Sequence, residues 1–333
     1  MSRALGASLV LLLALAWPAL APAQSADAEP ELETLVVNGE QPGPGLWEFR
    51  HGDHSLWVLA TVSPLPKDLS WRSRQLERVM ARSQILIAPA SIDVDIGFWK
   101  SLSLVPAALR ARKLADKQRL NEVLPPPLYQ RWSTARQRHA PRDTDLEGLR
   151  PLFAIDEVYD KAIDKAGLQF KRGGVFSEVR KLAKRQGVPV REPTVQLAIN
   201  DPKGLLREFA ATPPRADIPC FESLLTRIES QLPVMQQRGL AWATGDVAAL
   251  RSLPLEDSQS ACLSVVTATP RLAAQYEEAL RRWRQEWVLA AEGALLRNAS
   301  SVAVLPLREL LSPDGLGAQL RARGYQLIEP DAR

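Results

Sequence analysis

The chain has few side chains whose types and spacing could do chemistry. Its three histidines are His51, His54 and His139. His51 and His54 bracket Gly52-Asp53. A two-residue turn there sets the two imidazoles opposite each other on paired strands, with Cβ atoms roughly 5 Å apart. Such a pair is a candidate metal chelate or pH sensor, although a solvated turn is the plainer reading. His139 lies beside Ala140-Pro141 in a polar stretch and reads as exposed loop. Asp93 and Asp95 alternate with Ile92 and Val94, which suits a short solvated strand or loop better than an acid–base pair. Lys171-Arg172-Gly173-Gly174 is too short for a phosphate loop. No Gly-x-Ser-x-Gly elbow is present.

Cys220 and Cys262 are the two cysteines. In an oxidising compartment an even pair is expected to form a disulfide, worth at most about 4 kcal/mol in the chain-entropy view. The competing reading, a two-thiol metal site, needs reduced and deprotonated thiols. The N-terminus points to an oxidising compartment. Arg3, the apolar run Ala4–Leu20 and the small residues of Ala21-Pro22-Ala23 form a secretory signal with cleavage near Ala23. No later stretch offers about 18 consecutive apolar residues, so no stable membrane insertion is expected. The expected location is periplasmic or secreted.

Removal of residues 1–23 leaves enough chain for one large domain or two small ones. A formal charge of +4 is small for 333 residues. The basic clusters Arg110-Ala111-Arg112-Lys113, Lys181 to Arg185 and Arg281-Arg282-Trp283-Arg284 read as solvated helix faces. Nucleic acid is not an expected partner. An anionic glycan or lipid headgroup stays open.

The positioning elements follow from periodicity. Residues 24–44 form an acidic leader, with Leu35-Val36-Val37 able to add a short strand. Leu46 to His51 and His54 to Val62 form a hairpin that pairs Trp47 with Val58, Phe49 with Leu56, and Glu48 with Trp57. A helix is expected over 70–82 and a buried strand at Ile85-Leu86-Ile87. Residues 105–150, broken by Pro125-Pro126-Pro127, read as a helical insertion. Helices are expected over 153–166, 176–186, 202–211 and 220–238. Val188-Pro189-Val190 is an edge or early strand, and Asp246 caps a helix. The longest helix runs from Arg271 to about Leu296, with Leu272, Tyr276, Leu280, Trp283 and Trp287 as a core face. Strand 301–305, helix 315–323 and strand 325–328 close the chain. The expected class is α/β, a mixed central sheet flanked by helices, in one domain over 45–330.

Several of these segments carry family motifs. The hairpin ends in Ala60-Thr61-Val62-Ser63-Pro64. Gly187-Val188-Pro189-Val190-Arg191-Glu192, then Ala241-Trp242-Ala243-Thr244-Gly245-Asp246, and finally Val302 through Pro313-Asp314-Gly315 to Arg323-Gly324-Tyr325 follow in order. Together they resemble the TraB/GumN family across most of the chain. That family includes proteins proposed to be metal-dependent peptidases, and its GumN branch is linked with exopolysaccharide gene clusters. The resemblance implies a divalent-metal site built from two Gly-x-x-His motifs and acidic residues. The matching positions are Ala60 and Ser63 for the first motif, and Leu305 and Arg308 for the second. The acidic residue expected near Ala88-Pro89 is missing, and Glu192 is the matched acid. Serine is a poor ligand and arginine is permanently cationic. The resemblance therefore implies a catalytically degenerate member with no cofactor, acting by binding an envelope protein, a peptide or a glycan. Arg308 is expected to fill the site, pairing Glu192 or facing solvent. The alternative is a metal-dependent hydrolase with a shifted site around Glu192.

Overall fold

The structure is a computed structural model that describes residues 43–95, 98–170, 174–254, 262 and 269–330. The expected signal segment, the leader up to Pro42 and Lys171–Gly173 lie outside the described residues.

The hairpin forms as its alternation requires. Strands β1 (Leu46–His51) and β2 (His54–Thr61) pair antiparallel, with Trp47 opposite Val58, Phe49 opposite Leu56 and His51 opposite His54. Gly52 takes φ +56°, a left-handed turn conformation that glycine adopts without steric cost. Residues on both faces of β1 are buried, so the hairpin is covered on two sides. This also buries Glu48, which accepts hydrogen bonds from Ser55 Oγ at 2.6 Å and Arg50 Nη2 at 3.0 Å.

Beyond the hairpin the sheet becomes parallel. After β3 (Leu65–Pro66) comes α1 (Arg74–Ala81), then β4 (Leu86–Ile87) and β5 (Ser91–Asp95). Helix α1 starts later than its apolar spacing suggests, because Ser73 caps it by accepting from the Leu76 N–H at 3.1 Å. Helices α2 (Phe98–Ala111), α3 (Leu120–Val123), α4 (Pro126–His139) and α5 (Pro151–Lys165) follow. The Pro125–Pro127 break is also a start, with proline in the first turn of α4. His139 is the last residue of α4 rather than exposed loop. It is half-buried, and burial, with Arg138 and Lys165 nearby, pushes its pKa down.

Strand β6 (Leu168–Gln169) pairs with β3. Next come α6 (Gly174–Arg185), β7 (Val190–Arg191), β8 (Thr194–Ala198) and α7 (Pro202–Ala211). The helix expected over 220–238 is instead two, α8 (Ile218–Ser230) and α9 (Leu232–Thr244). Pro233 explains the break at Gln231: it has no N–H to continue the ladder and suits a first helical turn. The chain closes through α10 (Val247–Ser252), α11 (Pro270–Arg297), β9 (Ser300–Pro306), α12 (Leu307–Leu311), α13 (Leu316–Ala322) and β10 (Gln326–Ile328). On α11 only Trp287 of the expected aromatic face is fully buried. Leu272, Tyr276, Leu280 and Trp283 are half-buried.

The six-stranded sheet has the order β10-β1-β2-β9-β4-β7. Strand β9, from near the chain's end, sits in its middle, parallel to both β2 and β4. The edge strand β7 follows Pro189 directly, a place where a missing N–H is tolerated. Strands β4 and β7 continue beyond the sheet as the parallel β5/β8 ribbon, which carries Asp93 opposite Gln196. The class is α/β with a mixed sheet, as its patterning indicates.

Two hydrophobic cores form. One surrounds the sheet, with Trp47, Phe49, Trp242 and Trp287 among its largest side chains. The other lies among α3, α4, α5 and α8, around Trp132 and Phe221. The helical insertion thus buries its apolar face by recruiting helices from outside 105–150. Cys220 of α8 and Cys262 form a disulfide across 42 residues of sequence. Replacing both cysteines with serine is expected to lower the unfolding free energy by about 2–4 kcal/mol, read as a fall in the denaturant midpoint. Among the described residues no helix is long and apolar enough to cross a membrane.

Candidate functional site

Strands β2, β9, β4 and β7 are neighbours and run the same way, so their carboxyl ends share one rim of the sheet. Open α/β sheets bind ligands outside such ends. The register is specific. Ala60 lies opposite Leu305 and Thr61 opposite Pro306. Ile87 lies opposite both Ala303 and Arg191, so Ala88 and Glu192 follow at one level. The Ala88 N–H donates to Arg191 O at 2.9 Å, joining those two strands at the rim. Pairing distant parts of the chain therefore brings Ala60, Ala88, Glu192 and Leu305 together. Ser63 and Arg308 each lie three residues beyond the paired Ala60 and Leu305.

The rim is filled by apolar side chains. Ala60, Ala88 and Leu305 are buried, Arg308 is half-buried on α12, and Ser63 is exposed before a cis bond to Pro64. Glu192 makes its ion pair with Arg180 of α6, at 2.7 Å.

Trp242 anchors the rim from the side. Its indole Nε1–H donates to Ala60 O at 2.6 Å in a buried contact. The Gly-Asp that follows ends one helix and begins the next. Gly245 closes α9 at φ +73°, and a Cβ there would fall 2.5 Å from Gly43 O. Asp246 caps α10, its Oδ1 accepting from the Ala249 N–H at 2.8 Å. The tryptophan of this motif was legible in the sequence, but its partner was not. Trp71 meets the Trp242 ring edge-on, with centroids 5.1 Å apart.

Beside Trp71 open two adjoining cavities of about 640 and 440 Å3, and Trp71 and Glu178 line both. Sequence reasoning did not find them. Their walls come from the turn before α1, from α1, from α6 and from the end of β6, segments that share no local motif.

The other candidate groups lie elsewhere. His54 Nδ1–H donates to Leu295 O at 2.7 Å, and the His51 ring stands 5.5 Å from that of Tyr325. Both sit at the turn end of the hairpin, away from the rim. Asp93 is on the β5/β8 ribbon. Among the described residues no group of three or more His, Cys, Asp or Glu side chains is arranged to hold a metal ion. The divalent metal implied by the sequence motifs does not fit the rim as built. Alanine and leucine side chains bring no donor atom, the Arg308 guanidinium brings a fixed positive charge, and Glu192 is engaged by Arg180.

The model of the TraB/PrgY/gumN family matches residues 45–328. Neither a curated protein nor a solved structure matches the chain.

Proposed function

The chain belongs to the TraB/PrgY/gumN family, and from that premise we propose that it is an envelope binding protein whose metal site has been replaced by packing. The observation that carries this is the register of Ala60 against Leu305. The two positions matched to motif glycines face each other on neighbouring strands, and both side chains are buried. A metal there would need several neutral or anionic donors converging on one point. The rim presents hydrocarbon and a guanidinium instead. The Cys220–Cys262 disulfide supports an extracytoplasmic location, in keeping with the N-terminal signal. The partner is an envelope protein, a peptide or a glycan.

The test is the metal content and metal affinity of the signal-free chain with its disulfide intact. The expected result is no stoichiometric metal, no micromolar affinity for zinc, manganese or cobalt, and no peptide cleavage. Stoichiometric metal with cleavage would overturn the proposal and restore a hydrolase using a shifted site around Glu192. The double substitution Ser63→His with Arg308→His tests the placement of the site. It adds two imidazoles at equivalent positions beyond the paired strand ends, and is expected to raise zinc affinity by at least about tenfold. Unchanged affinity would mean that the rim is not where the family's metal belongs.

A further inference from the structure

Trp71 is built as a fixed platform. It is half-buried, its ring is backed edge-on by Trp242, and Trp242 is tied in turn to Ala60 O at 2.6 Å. A side chain held this way loses little freedom when a ligand docks on it. The larger of the two cavities that meet at Trp71 also presents Phe170, 50% exposed. The Phe170 ring rests 6.2 Å from that of Tyr159, so it too has a packing partner. The same cavity is also lined by Ser70, Gln169, Ser177 and Glu178.

We propose that the cavities flanking Trp71 bind a neutral oligosaccharide. This deepens the binding reading above and rests on it. A pyranose ring has an apolar C–H face and a rim of hydroxyls that both donate and accept. Aromatic faces suit the first, and hydroxyl, amide and carboxylate groups suit the second. Among the described residues lining the two cavities, Arg72 and Arg185 stand against Glu77 and Glu178, and Glu178 is ion-paired with Lys181 at 2.9 Å, so the walls are charge-balanced and suit a neutral ligand. The volumes fall in the range of roughly 300–1,000 Å3 usual for small-ligand sites. Two such spaces meeting at one indole accommodate consecutive sugar rings. A peptide held as an added strand would need a free strand edge along the cavity. The described walls are turn and helix, with only the terminal Gln169 from a strand.

The experiment is calorimetric titration of the disulfide-intact, signal-free chain with cellohexaose, chitohexaose, laminarihexaose and maltohexaose. At least one is expected to bind. Phe170→Ala should weaken that binding at least tenfold, and Glu178→Gln several-fold, while Leu289→Ala on α11 leaves it unchanged. Thermal unfolding of each variant separates lost affinity from lost fold, and Phe170 is exposed enough for its variant to stay folded. If none of the four sugars binds, or if binding survives both cavity variants, the assignment is overturned. A peptide that binds where no sugar does would overturn the sugar class and leave the binding reading standing. Metal-dependent cleavage of a bound sugar would overturn the binding-only reading and leave the cavity assignment standing.

Discussion

Replacing Arg150 with alanine is expected to destabilise the fold by about 3–5 kcal/mol, because it leaves a carboxylate buried without its counter-charge. Asp217 is fully buried and Arg150 is 2% exposed. The guanidinium meets the carboxylate through two bonds, Nε to Oδ2 at 3.1 Å and Nη2 to Oδ1 at 2.8 Å. Nη1 donates to Phe209 O at 2.9 Å and to Thr212 O at 3.1 Å, while the cation lies 4.4 Å from the Phe209 ring centre. One side chain thus joins the start of α5 to α7 and to the residue before α8. Loss of Arg150 strands the carboxylate and removes a donor from two carbonyls. Asp217→Ala strands the guanidinium and is expected to cost a similar amount. The double variant Arg150→Ala with Asp217→Ala removes both charges together and should cost less than the sum of the two single changes. Urea denaturation of the four proteins gives the coupling energy directly. Additive losses would show that the pair contributes little beyond its packing.

The pair also marks where sequence reasoning ends. Arg150 and Asp217 belong to no motif and lie 67 residues apart in sequence, and only the packing of α5 against α8 brings them together. The hairpin was legible because its information is local: alternation in Leu46–His51 and His54–Thr61, with a two-residue glycine turn between. Its register followed from the turn length alone. The position of β9 was not legible. A parallel pairing between residues near 60 and residues near 305 leaves no mark in either segment beyond apolar content. The same holds for the β5/β8 ribbon, where the Asp93 alternation suggested a strand without naming its partner. The burial of Glu48 escaped for a related reason: alternation placed it opposite Trp57, but not beneath covering layers.

The candidate site divides along the same line. Ala60, Ser63, Ala88, Glu192, Leu305 and Arg308 were singled out one by one from motif positions. The gathering of Ala60, Ala88, Glu192 and Leu305 at one rim is a product of strand order, which those motifs do not encode locally. Arg180 went unnamed as a partner of Glu192 because it comes from the helix before β7, a contact made by packing rather than by spacing. The Trp71 cavities carry no motif at all. Their chemistry emerges only when the turn before α1 meets α6.

Trp242 links the rim to those cavities, and its substitution is expected to have the other large effect. The side chain is 2% exposed and packs within the sheet's core, so Trp242→Ala should destabilise by about 3–5 kcal/mol through the cavity it leaves. Trp242→Phe keeps most of the apolar volume and deletes the indole N–H. Removing that donor from Ala60 O in a buried setting is expected to cost about 1–3 kcal/mol. If the hydrogen bond carries little, the phenylalanine variant will instead lie within a few tenths of a kcal/mol of the parent in urea melts, an outcome that rejects the anchoring role. The two substitutions also separate stability from binding. Phenylalanine still offers Trp71 an aromatic neighbour, so Trp242→Phe should lose stability while oligosaccharide affinity changes little. Alanine removes the backing, so affinity should fall with stability even at temperatures where the chain stays folded. Equal affinity in both variants would mean that Trp71 holds its place without Trp242, and that the rim and the cavities are mechanically independent.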